Sequence, residues 1–267
     1  MGVYVFDNAW QQERERLAGL EALYDPVTIR HLEALGVAPG WRCLEVGGGG
    51  GSIADWLSDR VGPKGTVLAT DVNTRFLDAL SKPNLEIRKH DVGGDELPAE
   101  VFDLIHTRLL LEHLPDREQV LKRLVTALRP GGWLLIEDFD LSHAAAKPHG
   151  MFRYPPDTEK RGVKIIRAVM AVLQAAGADP VYGAKLPGEL MAHGLVDIGS
   201  ETFGGLVWGG SRATLMPAWT LEKLRDRLVE AGIGAGDIDR EIETYGDPNV
   251  ASFSAPLVSA WGRRPDA

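Results

Sequence analysis

Residues 43–57 read "CLEVGGGGGSIADWL", with five consecutive glycines, Gly47–Gly51, between an apolar run and a run with helical spacing. Glycine in a regular element costs conformational entropy, so five in succession are expensive unless another group must come very close to that backbone. Before them, "RCLEV" (42–46) reads as a strand; after them, Ile53, Leu57 and Val61 share a helical face. Strand, glycine loop and helix in that order set loop amides and the positive end of a helix opposite a ligand.

The alternation continues. "TVLATDV" (66–72), "LEIRKHDV" (85–92), "VFDLIHTR" (101–108) and "WLLIEDFD" (133–140) read as further strands. Between the last two, "DREQVLKRLVTALRPGG" carries a capping-box pattern at Asp116 and Gln119 and an apolar stripe of Val120, Leu121, Leu124 and Leu128. Strands alternating with helices imply a parallel sheet covered on both faces. Upstream, Asp25 and Pro26 fit the start of a helix over 25–36, and Leu17, Leu20 and Tyr24 suggest another before it. Downstream, the spacing predicts helices over 158–177, 186–195 and 220–232, a strand over "VDIGSETFGGLVW", and a last strand over 251–264 in which Pro256 suits an edge or a bulge.

The glycine loop has two readings. The dinucleotide pattern G-x-G-x-x-G, placed on Gly47 and Gly49, finds Ser52 where its third glycine belongs. The other is Glu45-x-Gly47-x-Gly49-x-Gly51, which resembles the first motif of class I S-adenosylmethionine-dependent methyltransferases, a family that includes ubiquinone/menaquinone and natural-product enzymes. Asp71 ends the second strand and Asp91-Val92 the third, and "FDLIHTRLLLEHLPDREQVLKRLVTALRPGGWLLIEDFD" resembles the family's fourth and fifth strands with their intervening helix. The likeness is strong over 40–140.

The resemblance implies a doubly wound α/β fold: a mostly parallel, seven-stranded Rossmann-like sheet whose last strand is antiparallel, with N-terminal and inserted helices as a lid. It divides one domain, 1–267, into a helical cap (1–38), a cofactor core (40–140), a lid insertion (141–180) and the C-terminal part of the sheet (181–267). It implies that S-adenosylmethionine is the cofactor. Glu45 then faces its methionine end with Gly47, Gly49 and Gly51 against it. Asp71, beside Val72, holds the ribose hydroxyls, Asp91 and Val92 take the adenine, and Thr107 and Arg108 line the methionine moiety. His113 and Asp138 are the candidate general bases, although relatives carry a His pair where this chain has Glu112-His113. The lid stock is Tyr4, Trp10, His143, His149, Phe152, Arg153 and Tyr154. The implied activity is methyl transfer to oxygen, nitrogen or carbon of a small molecule. A nicotinamide oxidoreductase and a sulfonium-binding protein with another reaction are the alternatives.

Composition narrows the partners. A net charge of -9, with no basic block longer than Arg263-Arg264, argues against a nucleic-acid substrate. No apolar stretch approaches the ~20 residues of a membrane span. The start "MGVYVFDNAW" lacks a secretory pattern, and one cysteine, Cys43, precludes an internal disulfide, so a cytoplasmic location is expected. The histidines are scattered and show no metal-ligand spacing. A homodimer is left open.

Overall fold

The computed structural model describes residues 11–142 and 152–266. Its central sheet has β1 (Arg42–Val46), β2 (Thr66–Asp71), β3 (Leu85–Lys89), β4 (Phe102–Arg108), β5 (Leu128–Phe139), β7 (Val196–Phe203) and β10 (Leu257–Arg263) in the order β3-β2-β1-β4-β5-β10-β7. Strands β1 to β5 pair in parallel, and β10 runs antiparallel to both β5 and β7. This is the doubly wound, mostly parallel sheet, reversing its winding between β1 and β4.

Side chains along a strand alternate between faces, and here each face has its own core. Cys43, Leu104 and Leu135 pack with Leu32 of α1 (Glu13–Ala34) and Ile53 and Leu57 of α2 (Ser52–Val61). On the other face Leu44, Ile105 and Ile136 pack with Val120, Leu121 and Leu124 of α3 (Arg117–Ala127) and Leu186 and Leu190 of α5 (Leu186–Ala192).

The lid is a separate layer. Ile165, Val169 and Leu173 of α4 (Glu159–Ala175) form a core with Leu221 of α6 (Leu215–Lys223), Leu228 of α7 (Arg225–Glu230) and Ile238 of α8 (Ala235–Gly246). A second sheet, β6 (Arg153–Tyr154), β9 (Ala251–Phe253) and β8 (Leu206–Trp208), lies in that order. Between β7 and β10 the chain therefore leaves the main sheet, which the segment 181–267 completes only with those two strands.

Several boundaries differ from the sequence expectation. The two N-terminal helices are one: α1 runs through Pro26, and Asp25 is not a cap but bonds Arg108 Nη2 at 2.8 Å. An interior proline costs about 3 kcal/mol; burial of Tyr24, Val27 and Leu32 around it offsets that. Asp116 makes no side-chain cap bond. Residues 220–232 fall in two helices, α6 and α7, with Thr220 inside α6. The segment 251–264 breaks at Pro256, and β10, which contains no proline, sits between β5 and β7 and not at an edge. Helix α8 was not anticipated. Tyr4, Trp10, His143 and His149 lie outside the described residues.

Leu104 is fully buried at the centre of the α1-side core. Leu104→Ala should lower unfolding free energy by about 2–5 kcal/mol, the range for truncating a buried leucine, read as a lower urea midpoint at unchanged m-value.

Candidate active site

A cavity of about 930 Å³ opens at the C-terminal ends of β1, β2 and β4, the switch point where open α/β sheets bind ligands. Its floor is Gly47–Gly50. Gly47, Gly49 and Gly51 have φ of +69°, +51° and +91°, a region side chains rarely adopt. The loop is also backed closely: a Cβ on Gly47 would lie 3.2 Å from Leu110 Cδ2, and one on Gly51 2.8 Å from Leu80 Cδ1. From above, α1 closes on it, for a Cβ on Gly50 would fall 2.0 Å from Glu21 Oε1.

Asp71 lines the cavity next to the loop. Its carboxylate accepts Gly49 N–H at 3.1 Å and Asn73 N–H at 2.9 Å. Burial raises its pKa, and the backbone bonds from Asn73, Gly49 and Val72 oppose the rise. Val72, half exposed, and Asp91 and Val92 line the same space. Asp91 Oδ1 accepts Gly93 N–H at 2.9 Å, which fixes the turn after β3. Glu45, Arg108, Glu112 and His113 complete this end. Gly51 and Thr107 are not in the lining; Thr107 is fully buried beneath it.

Asp138 is also buried and outside the lining. Burial and the nearby Glu112 push the pKa of its carboxyl well above the ordinary range. Its strand neighbours explain the placement: Glu137 faces α1, so Asp138 faces the other layer. Glu112 reaches the cavity instead. One of its oxygens accepts Phe139 N–H at 2.9 Å and the other lies 3.2 Å from His113 Nε2.

The remaining wall is apolar, with Ile166 and Val169 from α4, Met216 and Leu221 from α6, and Phe253 from β9. Phe152 and Arg153 line it too, whereas Tyr154 does not. Arg153 Nη1 pairs with buried Glu241 at 2.5 Å.

Beneath the glycine loop runs a polar row that the sequence reading missed. His106 Nδ1 lies 2.6 Å from Glu45 Oε2, and its Nε2 3.3 Å from Glu137 Oε2. Glu137 also accepts Ser259 Oγ–H at 2.6 Å and the Thr28 hydroxyl. Thr28 receives Arg108 Nη1 at 2.9 Å, and His31 Nδ1 stands 3.5 Å from Glu137 Oε1. Sheet register builds the row: Glu45 is opposite His106, and Ser259 is opposite both Glu137 and Glu201. A signal was present, because strands buried on both faces are near-continuous hydrophobic runs, and His106 and Glu137 interrupt such runs. Burial disfavours the imidazolium, but the Glu45 charge and the bonds from both glutamates outweigh it and push the His106 pKa up to about 9. Burial likewise opposes the Glu137 carboxylate, yet His106 and His31 hold it well below the usual range.

A family profile described as "Methyltransferase domain" matches residues 7–182. The chain belongs to this family. Methyltransferase str2 of Strobilurus tenacellus is 37% identical over 147 residues, 54% of this chain and 50% of that protein. The ubiquinone/menaquinone biosynthesis C-methyltransferase UbiE of Vibrio vulnificus (strain YJ016) is 33% identical over 129 residues, 45% of this chain and 48% of that protein. The chain thus spans about half the length of these relatives. Among solved structures, phosphoethanolamine N-methyltransferase 2 of Haemonchus contortus, in complex with S-adenosyl-L-methionine, superposes with a TM-score of 0.62 at 15% identity, over 99% of this chain and 61% of that one. At such identity the likeness concerns the fold. Among the described residues no group of three or more His, Cys, Asp or Glu could hold a metal ion, and no helix is long and apolar enough to cross a membrane.

The raised His106 pKa fixes the sign of a pH effect. A histidine that binds its proton more tightly when folded stabilises the fold fully below its unfolded pKa of 6.5 and loses that contribution as pH rises through about 9. The melting temperature of the wild-type protein should therefore fall steadily between these limits in differential scanning calorimetry.

Proposed function

We propose that the chain transfers a methyl group from S-adenosylmethionine to a small molecule with a largely apolar body. One observation carries the reading: the glycine loop, Asp71 and the Asp91–Val92 corner converge on one cavity that continues beneath an apolar lid. The volume is at the upper end of the roughly 300–1,000 Å³ of small-molecule sites, in keeping with a donor and an acceptor held side by side.

The residues present fit the donor. Gly47–Gly50 offer bare backbone to its ribose and amino-acid parts. Asp71 is held by backbone donors with its carboxylate at the cavity, suited to accepting two hydroxyl bonds of about 1.5–3 kcal/mol each. Asp91 and Val92 suit the adenine amino group and ring, with Val72 at the rim. Glu45 and Arg108 lie where the amino-acid end would rest; Gly51 and Thr107 support the loop and strand from behind. When bound, the donor supplies an electrophilic sulfonium methyl.

The protein's own work is then to hold the acceptor in line and exclude water. Ile166, Val169, Met216 and Leu221 supply the dry wall. For a hydroxyl acceptor, the Glu112–His113 pair is the proton acceptor at the cavity surface; Asp138 is buried outside the lining, behind that pair. The acidic charge and single cysteine support a small-molecule substrate and a cytoplasmic setting over nucleic acid and secretion. The relatives named above are methyltransferases and give no support to the nicotinamide alternative.

Asp71→Ala should weaken S-adenosylhomocysteine binding by roughly 30-fold or more, about 2 kcal/mol, in a calorimetric titration. Unchanged affinity would overturn the assignment of the donor site. On an acceptor that the wild type methylates at a hydroxyl, His113→Ala should lower kcat by about 10²–10⁴-fold and leave donor affinity intact. Turnover of a panel of apolar phenols and acids without release of S-adenosylhomocysteine would favour a non-methylating reaction.

A further inference from the structure

We infer that His106 is a positioning residue: clamped from behind by Glu137, it fixes the Glu45 carboxylate at the cavity edge to receive the charged amino-acid end of the adenosyl donor. The inference rests on the cavity being the donor site proposed above.

His106 cannot touch a ligand itself. It is fully buried, lies outside the cavity lining, and commits both ring nitrogens to carboxylates, at 2.6 Å and 3.3 Å. Glu45 is the member of that trio that lines the cavity. Its Oε2 is taken by His106, and among the described residues no hydrogen bond engages its Oε1. One carboxylate oxygen is thus tethered while the other is available at the crevice. A tethered carboxylate loses less rotamer freedom on binding than a free one.

The anchor behind His106 is unusually complete. Glu137 takes Ser259 from β10 at 2.6 Å and Thr28 from α1, and Thr28 is set by Arg108, which Asp25 holds at 2.8 Å. The titratable groups around His106 are therefore Glu45 from β1, Glu137 from β5, Arg108 on its own strand, and Asp25 and His31 from α1; Glu201 of β7 lies beyond, 3.4 Å from His31 Nε2. Packed leucines at these positions would hold the sheet at no desolvation cost. A polar row that ends in Glu45 at the cavity rim has a use there: an imidazole held between the two glutamates fixes the direction of the Glu45 side chain, opposite the donor's ammonium.

Two ligands separate positioning from general stability. S-adenosylhomocysteine has the amino-acid end and adenosine lacks it. In calorimetry at pH 7, His106→Leu should weaken S-adenosylhomocysteine by about tenfold or more and leave adenosine within roughly twofold. His106→Asn, which restores a donor near Nδ1, should recover most of the loss. Adding His106→Leu to Glu45→Gln should cost no further affinity, because residues acting through one contact are not additive. Equal losses for both ligands, or an unchanged S-adenosylhomocysteine affinity, overturn the inference. Should the leucine variant fail to fold, ¹⁵N-histidine NMR of the wild type decides: the His106 ring signals should move with S-adenosylhomocysteine and not with adenosine, and a ring unmoved by either overturns it. A wild type that binds adenosine but not S-adenosylhomocysteine or S-adenosylmethionine overturns the donor reading and this inference with it; a wild type that binds S-adenosylhomocysteine, with a leucine variant that loses neither ligand or both equally, overturns only this one.

Discussion

Charge buried in the sheet is the constraint around which this molecule is arranged. Taking a carboxylate or an imidazolium out of water costs several kcal/mol per ion unless geometry and bonding repay it. His106 and Glu137 are both fully buried in neighbouring strands. Each must therefore be bonded by something rigid, and the structure provides donors from three directions: a strand on the far side, a helix above, and the imidazole itself. Breaking any link leaves an uncompensated charge, which is why β10, α1 and β4 are bound to one another by more than apolar contact.

That requirement explains the course of α1. The helix crosses the sheet face with Asp25, Thr28 and His31 directed at the row and Leu32 at the core, while its first half lies over the glycine loop. A break at Pro26 would split the part that covers the loop from the part that satisfies Glu137. Tolerating the proline keeps both functions on one rigid rod. The loop, the lid helix and the buried row are consequently one mechanical unit: Arg108 touches the cavity on one side and Thr28 on the other.

How much of this was legible in the sequence depends on the range of the forces involved. Gly47, Gly49 and Gly51 announced a bare loop because backbone conformation is a local property, and Asp71 and Asp91, at the ends of two expected strands, were singled out by the family likeness. The seven-stranded sheet followed from the same rhythm and the family likeness. Pro26 and Pro256 misled, each for a tertiary reason: Pro26 is held in a helix by burial around it, and Pro256 sits just outside a central strand whose own residues make an unbroken ladder. Helix α8 has an apolar face that packs on α4, α6 and α7. The His106 row was invisible as a row, since its members are scattered from residue 25 to 259 and meet only through register. What could be seen was His106 and Glu137, each interrupting an otherwise apolar run.

The contrast between Glu137 and Asp138 completes the picture. They are adjacent in sequence, equally buried, and pushed in opposite directions: imidazole and hydroxyl donors hold the Glu137 pKa low, and burial and Glu112 push that of Asp138 up. Strand alternation alone assigns them to different faces and so to different partners. Glu137, on the α1 face, joins a network that reaches the cavity lining at Glu45. Asp138, on the other face, lies outside the cavity lining. The acidic residue near it that does line the cavity is Glu112, beside His113. Sorting by pleat direction thus gives Glu137 and Asp138 different partners, and through Glu45 on one face and Glu112 on the other both reach the same cavity.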